Sequence, residues 1–165
     1  MSDHFQTEAP IRLTVNGEKV KARVRVGQHL TDFLREELGL TGSHIGCEHG
    51  VCGACTLRVN GEIIRGCLML AAQADGMEVE TIEGLTERGV IADLQAEFVA
   101  RNALQCGFCT PGMLATAADL LQRGGVPARA EIRDHLSGNY CRCTGYEAII
   151  DAVENVARAR AEAVK

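Results

Sequence analysis

Gly46-Cys47-Glu48-His49-Gly50-Val51-Cys52-Gly53-Ala54-Cys55 sets three cysteines at C-x4-C-x2-C spacing, and Cys67 completes C-x4-C-x2-C-x11-C. This is the ligand spacing of a plant-type 2Fe–2S centre. Gly42, Gly46, Gly50 and Gly53 crowd around the first three thiols. Glycine lets the backbone curl tightly and aim amide N–H groups at sulfur, which favours an anionic cluster. A structural zinc site is the alternative, but zinc favours C-x2–4-C pairs and seldom needs so glycine-rich a wrap.

The remaining four of the eight cysteines, Cys106, Cys109, Cys141 and Cys143, form C-x2-C-x31-C-x-C. Spacing alone leaves this group open between a tetrahedral zinc and a second cluster. Neither group needs a histidine, which argues against a Rieske-type centre. The start, Met1-Ser2-Asp3-His4-Phe5-Gln6, has no basic region, apolar core or Arg pair. No export signal is therefore expected, and a cytoplasmic, reducing setting follows, in which grouped thiols hold metal more often than disulfides.

Composition narrows the class further. The 165 residues are 46% hydrophobic and 24% charged, as in a globular protein of one domain or two small ones. No stretch approaches the ~20 apolar residues of a membrane span. A net charge of −5 without a basic block, and 4% aromatics without Trp, argue against nucleic-acid binding.

Outward from the cysteine loop, Ile11, Leu13 and Val15 alternate with polar residues up to Asn16-Gly17. Val20, Ala22, Val24 and Val26 then alternate again, which predicts a hairpin. Leu30, Phe33, Leu34 and Leu38 recur at helical spacing before Gly39. Thr56–Val59, Asn60-Gly61 and Glu62–Arg65 predict a second hairpin, and Met77–Ile82 one more strand. Two hairpins with a helix across them predict an α+β, β-grasp ferredoxin-like sheet. The second half reads as all-α with four helices: Ile91 to Asn102, a helix capped by Thr110 with Pro111 in its first turn, Arg129–Leu136, and Tyr146–Ala163. The expected domains are residues 1–84 and 85–165.

His44-Ile45-Gly46-Cys47-Glu48-His49-Gly50-Val51-Cys52-Gly53-Ala54-Cys55-Thr56 resembles the first cluster loop of the molybdenum hydroxylases, the family of xanthine dehydrogenases, aldehyde oxidoreductases and aerobic carbon monoxide dehydrogenases. Gln105-Cys106-Gly107-Phe108-Cys109-Thr110-Pro111-Gly112 and Gly138-Asn139-Tyr140-Cys141-Arg142-Cys143-Thr144-Gly145-Tyr146 resemble the family's second cluster motifs. The resemblance runs from about residue 11 to 160, and it implies that the second group also holds a 2Fe–2S cluster. A free-standing chain of this kind is then the iron–sulfur subunit of a molybdenum-dependent hydroxylase or dehydrogenase, with no catalytic residue of its own. It implies a large partner carrying molybdopterin, as the cytosine dinucleotide in bacteria, and a medium partner carrying FAD, or a cytochrome acceptor, assembled as a dimer of heterotrimers. Cys106, Cys109, Cys141 and Cys143 would hold the molybdenum-side cluster, and Cys47, Cys52, Cys55 and Cys67 the flavin-side one. Gln105 matches a glutamine that contacts the pterin, and Cys143 a ligand lying against the pterin amino group. The amides of Gly46, Gly53 and Gly107 are expected to tune the potentials.

Plainer readings stand beside these. His49 reads as a solvated loop histidine, His44 as a loop filler, and Phe108 and Met113 as core. Arg142 damps cluster charge or binds backbone carbonyls. The competing functions are the small subunit of a carbon monoxide dehydrogenase, a stand-alone two-cluster carrier, and a zinc-stabilised interaction module. The substrate is not written in this chain.

Overall fold

The structure, a computed structural model, describes residues 7–163. Met1–Gln6 and the outermost residues of both expected domains lie outside the described residues.

β1 (Glu8–Val15) and β2 (Glu18–Arg25) form an antiparallel hairpin whose tip is Asn16-Gly17. Both tip residues have positive φ, 51° and 87°, as a two-residue turn matched to strand twist requires. Ile11, Leu13 and Val15 are buried on one face. α1 (Leu30–Glu36) covers that face with Leu30, Phe33 and Leu34, each fully buried and worth about 1.5–3 kcal/mol by area. β3 (Thr56–Val59) and β4 (Glu62–Arg65) make the second hairpin. β5 (Glu78–Glu80) lies between the hairpins, parallel to β1 and antiparallel to β3, giving the order β2-β1-β5-β3-β4. Pairing β1 with a late strand closes the sheet over a helix, which is the α+β arrangement expected from the sequence.

The last expected strand is shorter than Met77–Ile82. Thr81 leaves the sheet because its amide and hydroxyl bond the Asn16 side chain, at 2.9 and 3.0 Å. Ile82 instead opens a short helix, α2 (Ile82–Glu87), within which residues 84 and 85 meet. Leu85 is buried in the helical core and Ile82 packs against it. A 3-10 turn at Ala71–Ala74 carries no sequence signal; its two buried alanines leave no amphipathic period to read.

The helical half contains α3 (Ala92–Ala100), α4 (Thr110–Gln122), α5 (Arg129–Leu136) and α6 (Glu147–Ala163). Thr110 lies inside α4 rather than capping it: Cys109 holds the cap position, in helical conformation and without a side-chain cap bond. α4 is buried almost all round. Met113, Leu114 and Leu120 join the helical core, while α4 also runs against β3 and β4. Its small residues, Gly112, Ala115, Ala117 and Ala118, permit that double packing. α4 thereby seats the two halves against each other. Arg129 on α5 clamps α6 through Glu147, Asp151 and Glu154 at 2.5–3.0 Å. Among the described residues, no helix is long and apolar enough to cross a membrane.

Candidate metal centres

The first cysteine loop follows α1 and returns to the sheet at β3. Glu48, Gly50 and Gly53 all take positive φ, 56°, 84° and 74°, so the chain curls around its own centre. The Cys52 amide approaches the Cys47 sulfur at 3.4 Å. Donation from Cys52, then from His49, lowers the Cys47 thiol to about 6. Cys67 arrives from the end of β4 and touches Cys55; both are buried. Burial, followed by that contact, pushes the Cys67 thiol up to about 11.

The second group is assembled from two distant segments, the start of α4 and the loop between α5 and α6. Cys106 and Cys143, thirty-seven positions apart, have their sulfurs 3.6 Å from one another and stand exposed. Cys109 touches Cys141, and burial raises its thiol to about 12. The Thr144 amide and hydroxyl approach the Cys141 sulfur at 3.4 and 3.1 Å, and the Cys141 amide bonds the Tyr146 hydroxyl.

The thiols therefore meet two by two: Cys47 with Cys52, Cys55 with Cys67, Cys106 with Cys143, and Cys109 with Cys141. Among the described residues, no three His, Cys, Asp or Glu side chains converge on one ion position. A tetrahedral zinc wants four donors about a point, whereas each iron of a 2Fe–2S unit takes two thiolates from protein. Paired soft donors, some of them buried and protonated until a cation displaces the proton, fit the dinuclear group.

The other sequence candidates sort as follows. Gln105 is exposed, and its side-chain amide donates to the Cys143 carbonyl at 3.0 Å. His49 is exposed and bonds the Cys47 carbonyl. His44 stacks on Phe108, ring centroids 4.8 Å apart, and its Nδ1 bonds the Phe108 carbonyl at 2.8 Å. Phe108 is thus no core residue: it is 46% exposed and links the two cysteine loops. Met113 is core and Arg142 is exposed. Amides at the sulfurs include those of His49, Gly50, Val51 and Cys52 in the first loop and Cys106, Cys109, Cys143 and Thr144 in the second. Gly53 also makes a close approach to the second loop at Gly138 and Asn139.

That approach involves residues for which the sequence reading found no role. Asn139 is buried and bonds Gly53, Thr56 and Thr116. Arg65 at the end of β4 donates to Thr56 and to the Gly138 carbonyl. Asn139 stands in a quoted motif, two residues before Cys141, so proximity to a ligand was a usable signal. Arg65 carried none for its bond to Gly138, which lies in the other half of the chain.

Comparison with known proteins agrees with this geometry. Residues 13–83 match the family model described as a 2Fe-2S iron-sulfur cluster binding domain, and residues 81–154 the model described as a 2Fe-2S binding domain. The chain is 51% identical over 161 residues to the caffeine dehydrogenase subunit gamma of Pseudomonas sp. (strain CBB1), spanning 94% of this chain and 92% of that one. It is 48% identical to the nicotine 6-hydroxylase small subunit of Paenarthrobacter nicotinovorans, over 87% and 86% of the two chains. The fold superposes on a chain of the quinoline 2-oxidoreductase crystal structure from Pseudomonas putida 86 with TM-score 0.89 and 49% identity, covering 96% and 98%. Two 2Fe–2S domains in tandem define an electron-transfer protein of the oxidoreductase class. The chain belongs to the iron–sulfur small subunits of the molybdenum hydroxylase family, which work in complexes with larger partners.

Proposed function

We propose that this chain carries electrons between a molybdopterin-bearing large subunit and an FAD-bearing medium subunit, or a cytochrome in its place. Cys106, Cys109, Cys141 and Cys143 hold the centre on the molybdenum side. Cys47, Cys52, Cys55 and Cys67 hold the one on the acceptor side. The observation that carries the reading is the pairing of thiols from distant segments, above all Cys106 with Cys143 at 3.6 Å. A 2Fe–2S centre accepts and releases one electron at a time, and the protein's part is to place and tune it. Residues 1–84 form the ferredoxin-like domain and 85–165 the helical one. The complex is cytoplasmic and a dimer of heterotrimers. Because caffeine, nicotine and quinoline name the relatives compared, the large partner is proposed to act on an N-heteroaromatic ring.

The exposure of Cys106 and Cys143 supports the orientation, since the molybdenum-side centre needs ligands that a partner can approach. Gln105 uses one amide proton on the Cys143 carbonyl, which leaves its oxygen and second proton for the pterin. Removing it is expected to leave both centres intact. Gln105→Ala then slows reduction of the second centre by substrate, followed by stopped-flow absorbance of the assembled complex; unchanged single-turnover rates would refute the role.

The direct test is the metal and flavin content of the complex that copurifies with a tagged chain from its host. Molybdenum, flavin and a full iron complement beside a large subunit are expected. Iron without molybdenum would favour a stand-alone carrier, and zinc in place of iron would overturn the assignment of both quartets.

A further inference from the structure

We propose that Asn139 is a positioning residue that fixes the separation of the two centres by clamping one cysteine loop onto the other. The proposal rests on the reading that both quartets hold 2Fe–2S centres.

Asn139 is 1% exposed and lies two residues before Cys141. Its Nδ2 donates to the Gly53 carbonyl at 3.0 Å and to the Thr56 hydroxyl at 3.3 Å. Its Oδ1 faces the Thr116 hydroxyl at 3.1 Å, whose proton is shared with the Gly112 carbonyl at 2.8 Å, and the Arg65 guanidinium at 3.5 Å. Gly53 sits between Cys52 and Cys55, Thr56 follows Cys55, and Thr116 belongs to the helix whose start carries Cys109. One carboxamide therefore joins the first loop, the second loop and the rigid helix between them. The neighbouring amide of Tyr140 donates to the Cys52 carbonyl at 2.8 Å, so the backbones adjoining a cysteine of each quartet are hydrogen-bonded directly. Arg65 reinforces the same seam through the Gly138 carbonyl at 2.8 Å and the Thr56 hydroxyl at 2.5 Å.

Two physical considerations separate positioning from mere packing. Burial without polar groups fills space but does not select one geometry, whereas a satisfied amide with three directional partners does. The backbone also approaches so closely here that any slippage breaks several bonds at once. A Cβ on Gly112 would collide with the Gly53 carbonyl, and one on Gly53 would lie 2.7 Å from Asn139 Cγ. Electron transfer and magnetic interaction between two centres both fall steeply with separation, so a clamp at this seam acts on both.

The experiment uses the whole complex with both centres reduced and reads their magnetic interaction by low-temperature EPR, beside iron content and Tm. Asn139→Ala is expected to keep full iron and the spectrum of each separate centre while the splitting shrinks or is lost. Thr116→Val, which removes the hydroxyl facing the carboxamide together with its bond to the Gly112 carbonyl on the same helix, is expected to shift the splitting in the same direction by less. Val153→Ala, a buried residue of α6 away from the seam, is expected to lower Tm with the splitting unchanged. An Asn139→Ala complex with full iron and the parent splitting would overturn the proposal. Should that variant lose iron, an unchanged splitting in Thr116→Val overturns it. A parent with two centres but no interaction overturns it as well. A parent that shows a single centre instead sinks the two-centre reading beneath it.

Discussion

Cys55→Ala is expected to remove one centre whole, halving the iron of the purified complex and leaving a single EPR-active species. Cys55 is 1% exposed and touches Cys67, so alanine fits the space but leaves a cluster without one of its four thiolates. The second quartet shares no residue with the first and sits on α4 and the α5–α6 loop, so its signal should persist. Substrate would then still reduce the remaining centre, while turnover with the natural acceptor falls to background. The fold feels the loss too. Each half of the chain is small for an independent core, and a bound metal group contributes to folding. Melting of the sheet half is expected at lower temperature than that of the helical half. Full iron, or both signals, in the variant would show that Cys55 is not a ligand.

Gly53→Ala is expected to be strongly destabilising. Two costs add. Gly53 holds φ at +74°, where an L side chain costs about 1–2 kcal/mol. Its new Cβ would also stand 2.5 Å from the Gly138 carbonyl oxygen, and overpacking of that kind costs about 1–3 kcal/mol. Together these reach roughly 2–5 kcal/mol, a large share of the 5–15 kcal/mol by which domains are stable. Gly107→Ala supplies the comparison: its φ is +82°, but nothing lies within 4 Å of the added carbon. Only the backbone cost of about 1–2 kcal/mol then applies. Denaturant titration of the two variants against the parent measures the difference. Equal losses would show that the seam can yield to a methyl group.

Local signals were legible because they are local. Alternation in Ile11–Val15 and Val20–Val26 around Asn16-Gly17, the second hairpin at Asn60-Gly61, and the apolar period of α1 each arise within one short stretch. The same holds for α5, whose bounds Arg129–Leu136 coincide with the expected ones. Misreadings occurred where a distant residue decides. Ile82 leaves the sheet because Asn16 captures Thr81, sixty-five positions away. Phe108 reads as core by composition, yet it stacks on His44 across the two loops. Gly53 reads as a loop-curling glycine, which its φ supports, but its close contact is with residues far along the chain.

By itself, the sequence determined the class of chemistry. Soft thiolates at C-x4-C-x2-C spacing, wrapped in glycine, favour an iron–sulfur ligand set over zinc, since three of its four donors lie within ten residues. The second quartet remained open by spacing, because the thirty-one residues between Cys109 and Cys141 say nothing of distance in space. Only the tertiary structure brings Cys106 to Cys143 and Cys109 to Cys141, through α4 packed beside α5. It alone sets the two loops in contact, through Asn139, Arg65 and the Tyr140 amide. Hydrogen bonds between segments 73 to 86 residues apart leave no periodicity in either one.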